Sequence, residues 1–261
     1  MKRIILICIL CLLLSGCWTT PESPEPEPNK VAYRAFFVGV GKHENGWTLP
    51  SPAENTNRLE DLFIQCKFGE EEIGFEIIEK LTNYDATKEN VLNGILSVFA
   101  ESDNDDISYF YYMGHGGVID DIPIITPTDY NSTLETAITV HELEEHLNMI
   151  SGTKVIFLET CHAGNFIDKD IKLFIEFSLD LLNKEGNQVL ASSKGSEYTW
   201  DSYGGSYFCK YLIKGCEDLQ ADTNEDGIVD LSELYQYIRI HVTKQTVQIY
   251  PEGSTFPIME Y

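Results

Sequence analysis

Five stretches of the chain read as β-strands from their apolar patterning: "AFFVGVG" (35–41), "FEIIEKL" (75–81), "ISYFYYMG" (107–114), "KVIFLET" (154–160) and "QVLASS" (188–193). Several are nearly continuous apolar runs, which suits strands covered on both faces of a parallel sheet. The aromatic run Tyr109 to Tyr112 is accordingly expected in the sheet core. Between the strands the pattern changes to a helical period in 55–66, 87–102 and 139–150. Thr139 with Glu142 three residues on predicts a capping box, and Thr87 predicts an N-cap. Further helices are predicted over 205–214 and 231–245. In the last, Leu231, Leu234, Tyr235 and Ile238 form a core-facing stripe. Alternation of this kind implies an α/β layered sheet. Neither an internal repeat nor a Pro/Gly-rich linker follows residue 30, so 31–261 is expected to form one domain.

The first thirty residues follow a different pattern. "MKRIILICILCLLLSGC" places two cations before an apolar run from Ile4 to Leu14, then small residues and Cys17. That run is too short to span a bilayer comfortably and has the length of a signal-peptide core. "LSGC" resembles the lipobox of bacterial lipoproteins, which implies cleavage before Cys17 and lipidation of its thiol. "WTTPESPEPEPNK" (18–30) is Pro- and Glu-rich and reads as an extended tether. The expectation is an exported, membrane-anchored protein, with Trp18 beside the cysteine favouring the outer membrane or cell surface. Composition adds one exclusion: 42 acidic against 18 basic residues leave a formal charge of -24, which argues against a nucleic-acid partner. Four cysteines remain after residue 17, too few for a disulfide scaffold. Spacing leaves open whether Cys209 and Cys216 pair.

Open α/β sheets carry their sites beyond the C-terminal ends of the strands. Two predicted strands end in turns rich in reactive groups: "YYMGHGG", with His115 between glycines, and "FLETCHAG", with Cys161. On neighbouring strands, these would put an imidazole and a thiol at one edge of the sheet, where the base can take the thiol proton and the sulfur attack a carbonyl. His162 follows the cysteine directly, and successive side chains point to opposite faces, so His115 is the better partner. The same alternation puts Glu159 on the Cys161 side. A carboxylate there opposes thiolate formation and makes more sense as the floor of a pocket for a cationic side chain. His141 and His146 stand at i and i+5 on an acidic helix, the wrong spacing for a shared metal face.

In their order, these motifs resemble the caspase-like cysteine peptidases, most of all the bacterial caspase-domain and metacaspase branch. "YFYYMGHGG" is similar to its histidine motif and "IFLETCHAGNF" to its nucleophile motif. "AFFVGVGKHENG", "DATKENVLNGI", "VLASSKGSEYTWD" and "GSYFCKYLIKG" extend the likeness over about residues 31 to 250. The resemblance implies a caspase-like three-layer sandwich, with a mostly parallel central sheet and helices on both faces. It implies a peptidase acting on peptides or proteins, with Cys161 as nucleophile, His115 as general base, and the amides of Gly116 and Cys161 as oxyanion donors. It also implies Arg or Lys at the scissile position, selected by Glu159, with Ser192, Ser193, Glu197 and Asp201 expected along the substrate cleft. Glu159 stands where the branch has Asp, Ala163 where Ser is common, and Asn55 about where Asp is frequent.

"DTNEDGIVDLSE" (222–233) fits the twelve-residue calcium loop. Asp222, Asn224 and Asp226 take positions 1, 3 and 5, and Gly227 the turn at 6. Ile228 offers its carbonyl, Asp230 sits at 9, and Glu233 is the bidentate ligand at 12. As a single loop it is expected to be a structural Ca²⁺ clip rather than a sensor. Two readings compete with the peptidase: a non-catalytic, calcium-stabilised surface binding module, and a thiol enzyme of another kind such as an acyltransferase.

Overall fold

A computed structural model describes residues 30–161, 163, 186–199 and 205–260. The expected leader, Cys17, the tether up to residue 29, His162 and Asp201 lie outside the described residues. The elements follow in the order β1 (Tyr33–Gly39), α1 (Pro52–Phe63), β2 (Phe75–Thr82), α2 (Lys88–Val98), β3 (Ile107–Met113), β4 (Gly116–Ile119), β5 (Ile122–Ile125) and β6 (Ile138–Thr139). Then come α3 (Val140–Asn148), β7 (Thr153–Glu159), β8 (Asn187–Ala191), α4 (Tyr207–Cys216), β9 (Ile228–Asp230), α5 (Leu231–His241), β10 (Gln248–Tyr250) and β11 (Pro257–Glu260).

The five predicted strands, joined at one edge by β10, which the pattern did not predict, form one six-stranded sheet in the order β10-β8-β7-β3-β1-β2. All neighbours are parallel except the edge strand β10, which runs antiparallel to β8. Alternation along the strands builds the layers. Ala35, Phe37, Tyr109, Tyr111, Val155 and Phe157 pack with Leu59, Phe63, Phe208, Leu212, Leu234 and Ile238 of α1, α4 and α5. Their neighbours Phe36, Val38, Phe110, Tyr112, Ile156 and Leu158 pack with Val91, Ile95, Leu143 and Leu147 of α2 and α3. Fully burying such a side chain stabilises by about 1.5–3 kcal/mol, so each face is anchored by several independent contributions. The result is the three-layer α/β arrangement expected from the sequence.

Local signals act as predicted where they are short-range. Thr139 Oγ1 accepts the Glu142 amide at 3.2 Å, and Glu142 Oε2 accepts the Thr139 amide at 2.9 Å. Thr87 caps α2 through the Asn90 amide. The first helix begins at Pro52, three residues ahead of the predicted start, with proline in the first turn where its missing N–H costs nothing. Cys209 and Cys216 are free buried thiols at the two ends of α4. Two helical turns hold their Cα atoms roughly 10 Å apart, beyond the reach of a disulfide.

The small sheet β4-β5-β6 escapes the sequence pattern. Its hairpin turns at Asp120 and Asp121, with φ of 49° and 63°, the paired left-handed residues of a two-residue hairpin loop. "IDDI" between apolar runs was the available signal, weaker than an Asn-Gly pair. Among the described residues no helix is long and apolar enough to cross a membrane.

Candidate active site

The parallel register sets the site. Met113 pairs with Glu159 across β3 and β7, so His115 and Cys161 each lie two residues beyond a matched pair. The Gly114 amide donates to the Glu159 carbonyl at 3.2 Å, and the Val40 amide to the Met113 carbonyl at 2.8 Å, which carries the pairing past the strand ends. Here a pocket of about 390 Å³ opens. The loop after β1 supplies Leu49 and Pro50, the end of β3 supplies Met113, Gly114 and His115, the end of β7 supplies Glu159 and Cys161, and the segment after β8 supplies Tyr198 and Thr199. The imidazole of one strand end thus lines one cavity with the thiol and carboxylate of another, distant in the chain.

His115 is fixed through its backbone. Its carbonyl accepts the Thr126 amide at 3.0 Å, the Thr126 hydroxyl at 3.2 Å and the Tyr112 hydroxyl at 3.0 Å. The hairpin β4–β5 exists to bring Thr126 back to that carbonyl. Gly116 has no room for a side chain: a Cβ would lie 2.1 Å from Thr160 Oγ1 and 3.0 Å from the Cys161 carbonyl. Thr126 bonding to His115 makes 115 and 126 a hydrogen-bonded pair, so Gly116, opposite Ile125, falls in the following non-bonded pair and turns its amide away from β5.

Cys161 sits on a turn held by the Thr160 carbonyl. That oxygen accepts hydroxyls from Thr199 at 2.8 Å, Ser193 at 3.2 Å and Ser192 at 3.4 Å, together with the Ala163 amide at 3.2 Å. Cys161 itself is partly exposed. Burial pushes its pKa up, and hydrogen bonding from the Thr199 backbone and its own amide offsets only part of the rise. The shift favours the thiol over the thiolate, so attack calls for a base.

Glu159 is 1% exposed. Tyr111 donates its hydroxyl to Oε2 at 2.6 Å, and the Cys209 amide approaches Oε1 at 3.4 Å. Cys209 lies in the first turn of α4, whose N-cap is Ser206, so the carboxylate meets the positive end of a helix dipole. Burial and the neighbouring Cys209 and Glu159 raise the Tyr111 pKa far above its usual range, so this hydroxyl keeps its proton and remains a donor. The helix-end contact was not anticipated, although Ser206 followed three residues later by Cys209 is its trace in the sequence.

The other expected cleft residues lie elsewhere. Ser192 and Ser193 are fully buried and brace Thr160 rather than line the pocket. Glu197 accepts the amide and hydroxyl of Thr246 at 2.7 and 2.9 Å, tying two loops together. Asn55 is buried and donates to the Met113 sulfur at 3.3 Å, behind the pocket wall. Leu49, Pro50, Tyr198 and Thr199 were not singled out from the sequence, because a loop's approach to a site leaves no local signature. His146 Nδ1 meets the Glu142 carbonyl at 2.7 Å, while His141 is exposed beside Glu144 at 3.9 Å.

The loop 222–233 has the backbone shape of its motif. Gly227 turns at φ +86°; Asp222 accepts the amides of Glu225 and Gly227 at 2.8 and 2.9 Å. Asp230 and Glu233 form a capping box at the start of α5, and Glu233 also closes the loop through the Thr223 amide at 2.9 Å. Among the described residues no three acidic, His or Cys side chains converge as a metal-holding group. The all-oxygen donor set and the turn geometry fit a hard cation, with the carboxylates satisfied by loop amides.

A mostly parallel sheet between helical layers, with a Cys/His pocket at its C-terminal edge, is the architecture of caspase-like proteins. The family model for the caspase domain matches residues 33–260, and the chain belongs to this family of cysteine peptidases. It is 25% identical over 149 residues to Metacaspase-1 of Plasmodium falciparum, a match covering 52% of this chain and 24% of that protein. The match thus spans about a quarter of the length of this curated relative. In fold, the chain is similar to a Geobacter sulfurreducens protein of known crystal structure, with a TM-score of 0.65, 15% identity, and coverage of 88% of this chain and 97% of the other.

Proposed function

We propose that this protein is a cysteine endopeptidase that cleaves after Arg or Lys through a Cys161–His115 dyad. One observation carries the reading: both groups line a single pocket that also holds a buried carboxylate. His115 takes the thiol proton as Cys161 Sγ attacks the scissile carbonyl carbon. The Gly116 and Cys161 amides receive the oxyanion. Collapse of the tetrahedral species breaks the C–N bond while His115 returns the proton to the leaving amine. Water, deprotonated by His115, then hydrolyses the thioester and frees the thiol. The pocket's apolar residues (Leu49, Pro50, Met113 and Tyr198) suit a methylene stem, and Glu159 suits the cation at its end. The direct test compares fluorogenic peptides ending in Arg, Lys, Asp and Leu. Turnover confined to Arg and Lys supports the reading; no turnover of any of them favours a binding module.

The loop 222–233 we assign to Ca²⁺, held by Asp222, Asn224, Asp226, the Ile228 carbonyl, Asp230 and Glu233, as a clip joining α4 to α5. Loops of this extracellular kind bind at roughly 10⁻⁴ to 10⁻³ M. Ca²⁺ at about 1 mM is then expected to stabilise the fold by about 0.4–1.4 kcal/mol, a Tm rise of about 1–5 degrees. Asp222→Ala with Glu233→Ala should remove that rise in a calorimetric titration; an equal rise in the double variant rejects the site. We further assign Cys17 as a lipid anchor on the outer membrane or cell surface. Cells fed labelled palmitate should label the wild-type protein and not Cys17→Ser; equal labelling of both discards the anchor.

A further inference from the structure

The loop after β1 brings a second histidine against the first. His43 is 2% exposed, and its ring centroid lies 5.4 Å from that of His115, at an interplanar angle of 48°. Trp47 touches both, edge-on to His115 at 5.7 Å and tilted against His43 at 6.2 Å. His43 Nε2 lies 3.1 Å from the Thr126 carbonyl and 3.1 Å from the Thr126 hydroxyl. A carbonyl can only accept, so Nε2 carries the hydrogen and the neutral ring leaves Nδ1 bare. Nδ1 is buried and finds no well-aligned hydrogen-bond partner; the nearby Trp47 carbonyl, which accepts the His43 amide at 3.0 Å, reaches the ring only as a weak contact.

Thr126 is the link. Its hydroxyl donates to the His115 carbonyl, so toward His43 the same oxygen acts as acceptor. The His43 Nε2–H is shared between the Thr126 carbonyl and Oγ1, and the Thr126 hydroxyl in turn donates to the His115 C=O. The Tyr112 hydroxyl bridges the Thr126 and His115 carbonyls at 2.9 and 3.0 Å. A residue that only filled this space would be better apolar, since a bare buried nitrogen forfeits its hydration. We propose that His43 is a positioning residue for His115: its Nε2–H orients the Thr126 hydroxyl that holds His115 in place, and its uncharged ring lies beside the imidazole that must gain a proton during attack.

The surroundings keep that ring uncharged. Burial lowers the His43 pKa, and the Thr126 and Trp47 carbonyls offset only part of the effect. The titratable side chains packed nearby are His115, Tyr112, and Tyr130 behind Trp47. Burial raises both tyrosines, Tyr112 far above its usual range, so neither supplies an anion. Lys42 and Glu44, on either side in the chain, are exposed. A second cation at His43 would oppose the imidazolium at His115.

This role rests on the Cys161–His115 dyad, and the experiment separates the two. Cys161 alkylation by iodoacetamide is followed against pH in wild type, His115→Ala, His43→Phe and His43→Gln, with peptide turnover and thermal unfolding measured beside it. His43→Phe keeps the ring volume and loses the donor; His43→Gln returns an N–H near the Nε2 position. His43→Phe is expected to lower kcat on the order of 10- to 100-fold with KM nearly unchanged. Its alkylation profile should shift toward the alkaline profile of His115→Ala, and His43→Gln should recover most of both losses. A His43→Phe profile equal to wild type, with His115→Ala still shifted, overturns the role of His43 alone. Equal impairment of both His43 variants, in step with their loss of Tm, overturns it in favour of simple packing. Wild type and His115→Ala with the same profile would remove the dyad and this proposal together. Alkylation that depends on both histidines without any peptide turnover would retain the positioning role and reject the substrate assignment.

Discussion

Cys161→Ala is expected to lower kcat for an Arg-terminated peptide by about 10³-fold or more, with the fold and its Tm retained. His115→Ala should cost about as much, and the double variant little more, because two groups acting as one unit lose their joint contribution once. The raised Cys161 pKa makes this a sharper test than usual. Without His115 the sulfur ionises only as pH climbs through the elevated thiol value, so alkylation of His115→Ala should be slow at pH 7 and rise in the alkaline range. With the imidazole present, the thiol proton has an acceptor and the reaction should be well advanced at neutral pH. Turnover that survives Cys161→Ala would mean another nucleophile.

Glu159→Gln is expected to cut kcat/KM for Arg and Lys substrates by about 30-fold or more, while a substrate with a neutral side chain of similar length loses far less. The reason is burial. Truncating one partner of a buried, hydrogen-bonded charge pair costs about 2–5 kcal/mol, and each 1.4 kcal/mol is a tenfold change. Gln preserves the volume and one acceptor, so Tyr111 can keep its bond, whereas the amide group facing either Tyr111 or the Cys209 amide sets a donor against a donor. Tm should fall modestly, and the ratio of Arg to neutral turnover is the decisive reading. An unchanged ratio would assign basic specificity elsewhere.

The aromatic run "YFYY" marks the boundary between what was legible and what was not. Full burial of Tyr109 to Tyr112 follows from the apolar pattern, and sheet core was the natural reading. Two of these hydroxyls nevertheless leave the core to work at its edge: Tyr111 holds Glu159 and Tyr112 holds the His115 carbonyl. Periodicity reports which face a residue points to, not what its far atom reaches. Ser192 errs in the opposite direction: beside a predicted cleft it looked like a lining residue, but its hydroxyl is spent on Thr160 and Thr199.

By itself the sequence determined the layers, the strands that carry His115 and Cys161, the side of the sheet that Glu159 shares, and the helix caps at Thr87 and Thr139. These depend on side-chain alternation and on hydrogen bonds closed within three or four residues, so a local pattern encodes them. Only the tertiary structure decided that β3 and β7 lie side by side in a register pairing Met113 with Glu159, that the start of α4 meets the carboxylate, and that His43 lies beside His115. Those facts join residues tens of positions apart. They follow from strand order and loop packing across the whole domain, where no short window of the chain carries the information.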